Sequence, residues 1–263
     1  MEKQCAYCGK KETLTLEHIW SSCLIERLEG EFHTYNRQQD KFYKGDPTIR
    51  DVCQNCNNVR LSVLDTYLCS LYEKYFSEFI KPGDAAKLGY NYDMLLRSLL
   101  KISYNSSRTY KENLKNIKLH EKYSKYILGD GYRPQQIMLR LQIVTSAKVV
   151  RLDSGEEKMV HPDALRCAEI AYDGVLNHRF MIRLVAIKSY WFYIISPYKL
   201  ETKAKYNEFL NSFKKWRIQP GVLVSPNSSE LDIPVEKTTY DHNGFYKSLE
   251  NAAKKKWSHH SNL

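Results

Sequence analysis

The stretch VCQNCNNVRLSVLD, residues 52–65, decides how this chain is read. Cys53 and Cys56 stand two residues apart, a spacing that folds the backbone back and aims both sulfurs at one point. Cys5 and Cys8 repeat the spacing upstream in CAYCG, where Gly9 eases the turn. Two such knuckles supply four thiolates for a tetrahedral Zn²⁺ with no open position, so the zinc expected here is structural. Downstream, Leu61, Leu64, Leu68, Leu71, Tyr72, Tyr75, Phe76 and Phe79 keep helical spacing until Lys81-Pro82-Gly83. That Pro-Gly pair predicts a boundary, giving a small module over 1–82 and a second domain over 83–263.

Between the knuckles lies Leu14-Thr15-Leu16-Glu17-His18-Ile19. Its alternation predicts a short strand that turns Glu17 and His18 to opposite faces, unless a bulge intervenes. Either residue can then bind a metal while the other meets a substrate. Asn57, directly after the last cysteine, opens a helix. It can cap that helix, or its carbonyl oxygen can bind a hard cation.

A knuckle, then acid-His-Ile, then C-x-x-C-N entering a helix resembles the HNH endonucleases of the ββα-metal fold, in particular the two-knuckle type of phage endonuclease VII. The resemblance covers about residues 1–80. It implies that Glu17 and Asn57 hold a catalytic divalent cation, Mg²⁺ or Mn²⁺. It implies that His18 is the general base that activates the attacking water. Cleavage of DNA would leave a 5′ phosphate and a 3′ hydroxyl, and RNA is also compatible because the module reads backbone chemistry. Histidine suits this work because it titrates near neutrality. The chain departs from the family at Glu17, where Asp is commoner. The asparagine that orients the base has no clear match, with Asp46, Thr48 and Asn36 at plausible positions. The resemblance further suggests a part in phage defence or a mobile element, with a protein partner such as an ATPase.

Charge separates the two parts. Residues 1–82 carry 11 basic and 12 acidic side chains, so the whole excess of +10 resides beyond them. A basic second domain favours a polyanionic partner. Arg60 near the site, Arg108, Lys111, Lys115, Lys118, Lys122 and Lys125 with Tyr110, Tyr123 and Tyr126 between them, and Lys254, Lys255 and Lys256 near the end are candidate nucleic-acid contacts. A non-catalytic, zinc-stapled binding or docking protein is the rival reading. It needs the cysteines but neither Glu17 nor His18.

Helices are expected over about 91–104, 113–127 and 200–216. Strands are expected in IMLRLQIVTSAKVVRL, HRFMIRLVAI and YWFYIIS, with a turn at Lys188-Ser189. A loop is expected over about 219–235 and a basic helix over 246–257. The class is α+β: a zinc-stapled ββα-type module followed by a larger domain of helices and an antiparallel sheet. Cys23, Cys69 and Cys167 read as separate buried thiols. The segment MEKQCAYCGK lacks an apolar signal core, and the most apolar stretch carries Lys188 and is too short to span a bilayer. A cytoplasmic protein without membrane contact is therefore expected.

Overall fold

The computed structural model describes residues 4–28, 33–36, 41–46, 48–109, 114–150, 154–170, 176–212 and 221–239. The alternating segment around Glu17 forms strand β1 (Leu14–His18), followed by helix α1 (Ser22–Glu26), a hairpin of β2 (His33–Asn36) and β3 (Lys41–Lys44), and β4 (Thr48–Cys53). β4 pairs antiparallel with β1, Leu14 opposite Cys53 and His18 opposite Thr48, with a shift in register between Thr15 and Glu17. The chain then runs helically through a π-helical turn (Cys56–Leu61), α2 (Ser62–Leu71) and a second π-helical turn (Tyr72–Phe76). Leu61, Leu64, Leu68, Leu71, Tyr72 and Phe76 are buried, as their helical spacing requires.

The second part opens with β5 (Ala86–Gly89) and the long helix α3 (Tyr92–Thr109). Asn91 caps α3, its Oδ1 accepting the Met94 amide at 3.0 Å. The single helix expected over 113–127 is two, α4 (Leu114–Glu121) and α5 (Ser124–Leu128), the latter ended by Gly129 at φ +89°. There follow β6 (Met138–Val144), β7 (Ala147–Val150), β8 (Glu157–Val160), β9 (Leu165–Glu169), β10 (Phe180–Ile187), β11 (Tyr190–Pro197), α6 (Lys203–Ser212), β12 (Val222–Leu223), β13 (Glu230–Ile233) and β14 (Thr238–Thr239). The segment expected as a loop over 219–235 therefore contributes two strands. β12 pairs with β6 and β13 with β5, so their backbone groups are satisfied in sheets. The basic helix expected over 246–257 lies outside the described residues.

The main sheet has the order β12-β6-β11-β10-β9, with β14 alongside β6. Every residue of β10 and β11 is buried, so both faces of the sheet are covered. Met181, Val185, Ile187, Tyr190, Phe192 and Ile194 face a core that also contains α2 and α3. Phe180, Ile182, Leu184, Trp191, Tyr193 and Ile195 pack instead with Tyr206 and Phe209 of α6. The result is the α+β class, with a cysteine cluster that fits a zinc-stapled module.

Pro82 does not separate two cores. One buried cluster runs from Cys5 and Val52 through Leu64 and Leu99 to Phe192. The hairpin turn at Lys188-Ser189 grips the segment before Pro82: Ser189 Oγ accepts the Ile80 amide at 2.9 Å, and the Lys188 ammonium donates to the Ser77 carbonyl at 2.8 Å.

Cys23 and Cys69 are a second correction. They are not separate thiols but a disulfide joining α1 to α2, with Cα atoms 6.3 Å apart. The bond closes a loop with a sequence separation of 46 residues. By the chain-entropy argument Cys69→Ser should cost about 2–4 kcal/mol in non-reducing urea unfolding, and dithiothreitol should lower the wild type to the same midpoint. Equal midpoints for variant and oxidised wild type would show that the bond contributes nothing.

Candidate functional site

The knuckles meet. Among the described residues Cys5, Cys8, Cys53 and Cys56 offer sulfurs all within 4.8 Å of one another. Cys8 Sγ lies 3.7 Å from Cys53 Sγ. Sulfurs around a tetrahedral ion with Zn–S near 2.3 Å stand about 3.8 Å apart. The turns are set by backbone bonds: the Gly9 amide donates to the Cys5 carbonyl at 2.9 Å, and the Cys53 amide to Cys5 Sγ at 3.4 Å. Burial pushes the Cys53 thiol up to about 11, and burial also raises Cys56. These two thiols resist ionising unless a cation compensates, whereas at Cys5 burial is outweighed by hydrogen bonds from the Cys53, Cys8 and Tyr7 backbone and the net shift is down. The four cysteines can thus hold a metal ion such as zinc.

β1 and β4 then deliver His18. Its side chain is 47% exposed, and Nδ1 lies 3.3 Å from Oδ2 of Asp46, whose side chain is only 2% exposed. The Trp20 amide donates to the same Oδ2 at 3.2 Å. Asp46 Oδ1 is buried without a hydrogen-bond partner. Burial pushes the Asp46 carboxyl up to about 6, opposed by the Trp20 amide and by His18. A carboxylate on Nδ1 orients the ring and leaves Nε2 for chemistry. From behind, Asn105 of α3 donates its amide to the His18 carbonyl at 3.0 Å. Two residues therefore position His18, one just before β4 and one far beyond the motif. Arg50, two residues from the cross-strand partner of His18, is exposed on the same face of the β1–β4 pair.

Asn57 is no helix cap. Its Nδ2 donates to Thr15 Oγ1 at 2.9 Å and to the Leu16 carbonyl at 2.7 Å, tying the helix start to β1. Both amide hydrogens are used, which leaves Oδ1 for another ligand.

Glu17 does not fit the role of metal ligand. The strand alternation that exposes His18 turns Glu17 inward, where the residue is 3% exposed. Glu17 Oε1 accepts from the Lys101 ammonium at 2.7 Å and from Asn105 Nδ2 at 3.1 Å. Lys101 also donates to Asp65 Oδ1 and Oδ2 at 2.8 and 3.0 Å. Burial pulls the Lys101 ammonium down, but Asp65 and Glu17 outweigh it and the net shift is up, so the lysine is charged. A divalent cation shared by Glu17 and Asn57 is not what these side chains are arranged to hold.

Several candidate nucleic-acid contacts are committed elsewhere. Arg60 donates to the Leu128 carbonyl at 2.6 Å and pairs with Asp130, fastening the first π-helical turn to α5. Arg108 pairs with Asp51 and lies over the Tyr104 ring, 3.7 Å from its centroid. Tyr123 and Tyr126 are buried, their hydroxyls bonded to Ser196 and Asp93. Lys254, Lys255 and Lys256, with Tyr110 and Lys111, lie outside the described residues. Among the described residues no helix is long and apolar enough to cross a membrane.

Comparison of the chain with family models, with curated proteins and with solved structures returns no match.

Cys53→Ser should abolish metal binding, seen as loss of about one equivalent of Zn²⁺ by elemental analysis, and should expose the first part of the chain to proteolysis. Full zinc content in the folded variant would remove Cys53 from the site. Asp46 gives a pH signature. Its folded pKa is raised, so its stabilisation is complete below the unfolded value of about 4 and is lost as pH rises through about 6. Asp46→Asn should therefore be more stable than wild type above pH 6, by on the order of 1–3 kcal/mol, with the difference vanishing near pH 4. A constant difference from pH 4 to 8 would contradict the assignment.

Proposed function

We propose that the module cleaves nucleic-acid phosphodiester bonds, DNA first among them, with His18 as general base and Asp46 orienting it. One observation supports this reading above the others: a half-exposed imidazole whose Nδ1 lies against a buried carboxylate, at the Thr48 end of the paired strands β1 and β4. In this scheme His18 Nε2 takes a proton from water, the water oxygen forms a bond to phosphorus, and the bond to the 3′ oxygen breaks. Asp46 stabilises the imidazolium meanwhile, and the leaving oxygen takes a proton from solvent. Exposed Arg50 is placed to contact a phosphate on the same face. The zinc of the four cysteines is structural in this reading, because a four-thiolate site offers no open position. No step is assigned to a cation at Glu17. The likeness to HNH endonucleases rests on the paired strands, the helix after them and His18, and it fails at Glu17.

The second reading, a zinc-stapled protein that binds nucleic acid or docks a partner without chemistry, is favoured by the same Glu17–Lys101 pair. One assay separates the two. Zinc-loaded protein is incubated with plasmid, linear, single-stranded and branched DNA and with RNA, with Mg²⁺, with Mn²⁺ or with neither. Cleavage that falls at least about 100-fold in His18→Ala, with zinc content and circular dichroism unchanged, is the expected result. Cleavage that survives the substitution rules out His18 as the base, and no cleavage of any substrate leaves the binding reading.

A further inference from the structure

The carboxylates of Glu17 and Asp65 converge from β1 and α2, and between them stands a cation that belongs to the chain itself. Lys101 reaches in from α3 with a side chain only 2% exposed. An ammonium has three N–H donors. Three carboxylate oxygens stand within reach: Glu17 Oε1 at 2.7 Å, Asp65 Oδ1 at 2.8 Å and Asp65 Oδ2 at 3.0 Å. The Lys101 donors are thus fully used.

Glu17 Oε1 is doubly engaged. Glu17 Oε1 takes a second donor from Asn105, whose own Oδ1 accepts from the Tyr7 hydroxyl at 2.7 Å and from Arg108 at 3.0 Å. These partners fix the amide with its hydrogens, not its oxygen, toward Glu17. A Mg²⁺ ion needs oxygens at about 2.0–2.1 Å in near-octahedral array. Here the neighbours of Glu17 Oε1 are two N–H donors, which a metal ion would have to displace from a buried position.

We propose that Lys101 is the resident cation of the Glu17–Asp65 carboxylate pair and excludes a divalent ion from it. The site is a cation site closed by a tethered ammonium, and removing that ammonium opens it to a divalent metal. This inference rests on Glu17, Asp65 and Lys101 and not on the nuclease reading; a protein that cuts no nucleic acid tests it equally well.

The test is Mn²⁺ binding to full-length, zinc-loaded protein, followed by electron paramagnetic resonance of free Mn²⁺. Wild type and Glu17→Gln should bind the same amount of Mn²⁺, because wild-type Glu17 holds none. This comparison needs no lysine variant. Lys101→Ala should gain about one equivalent of Mn²⁺, lost again in Lys101→Ala/Glu17→Gln, and its thermal midpoint should rise with added Mn²⁺ while that of wild type does not. Wild-type protein that loses an equivalent of Mn²⁺ on Glu17→Gln overturns the proposal. So does Lys101→Ala that neither binds Mn²⁺ nor gains stability from it.

Discussion

The structure depends on a buried charge that must be answered from two sides. Lys101 is in the middle of α3, and an ammonium removed from water without a partner costs several kcal/mol. Glu17 on β1 and Asp65 on α2 supply the answer. The strand, the helix after the second knuckle and α3 are therefore held in one arrangement by a single ion cluster. Its neighbours extend the tie. Ser98 donates to the Leu64 carbonyl at 3.2 Å, Asn105 joins Glu17, Tyr7 and the His18 carbonyl, and Arg108 pairs with Asp51 on β4. Removing Lys101 leaves Glu17 buried and without a counter-charge, which is why the cluster constrains more than it stabilises.

α3 is also joined to the sheet. Arg183 of β10, fully buried, donates to Ser103 and Ser106 at 3.1 and 3.2 Å, and the Ser103 hydroxyl meets His120 Nε2 at 2.8 Å. Burial drives His120 down to about 3, so it stays neutral inside this network. The helix thus carries polar groups on two sides, one set for the cysteine module and one for the sheet. Its apolar residues, Leu95, Leu96, Leu99, Leu100 and Ile102, fill the space between. The module cannot be read as an appendage, because Asn105, which holds the His18 carbonyl, belongs to the same helix that covers the sheet.

This arrangement explains how one dipeptide serves two purposes. A strand sends adjacent side chains to opposite faces. Glu17 therefore goes to the buried ion cluster while His18 goes to the surface, where Asp46 meets it. The Asp46 carboxylate is kept out of water, with one oxygen unpartnered, and that is costly for stability. Its Oδ2 faces the ring from a position shut off from water, 3.3 Å from Nδ1.

The sequence by itself determined the cysteine cluster, the β1 strand with Glu17 and His18 on opposite faces, the helix after Cys56 and the paired strands around Lys188-Ser189. Each follows from local rules of ligand spacing, strand alternation, helical periodicity and turn chemistry. The tertiary structure alone decided what Glu17, Arg60, Arg108 and Asp46 do, that Cys23 meets Cys69, and that one core runs past Pro82. Ser98, Lys101, Asn105 and Arg108 form a polar stripe at helical spacing, and such a stripe reads as a solvent face in any single sequence. Whether a charge meets water or a carboxylate depends on which distant segment packs over it, and no local pattern carries that information.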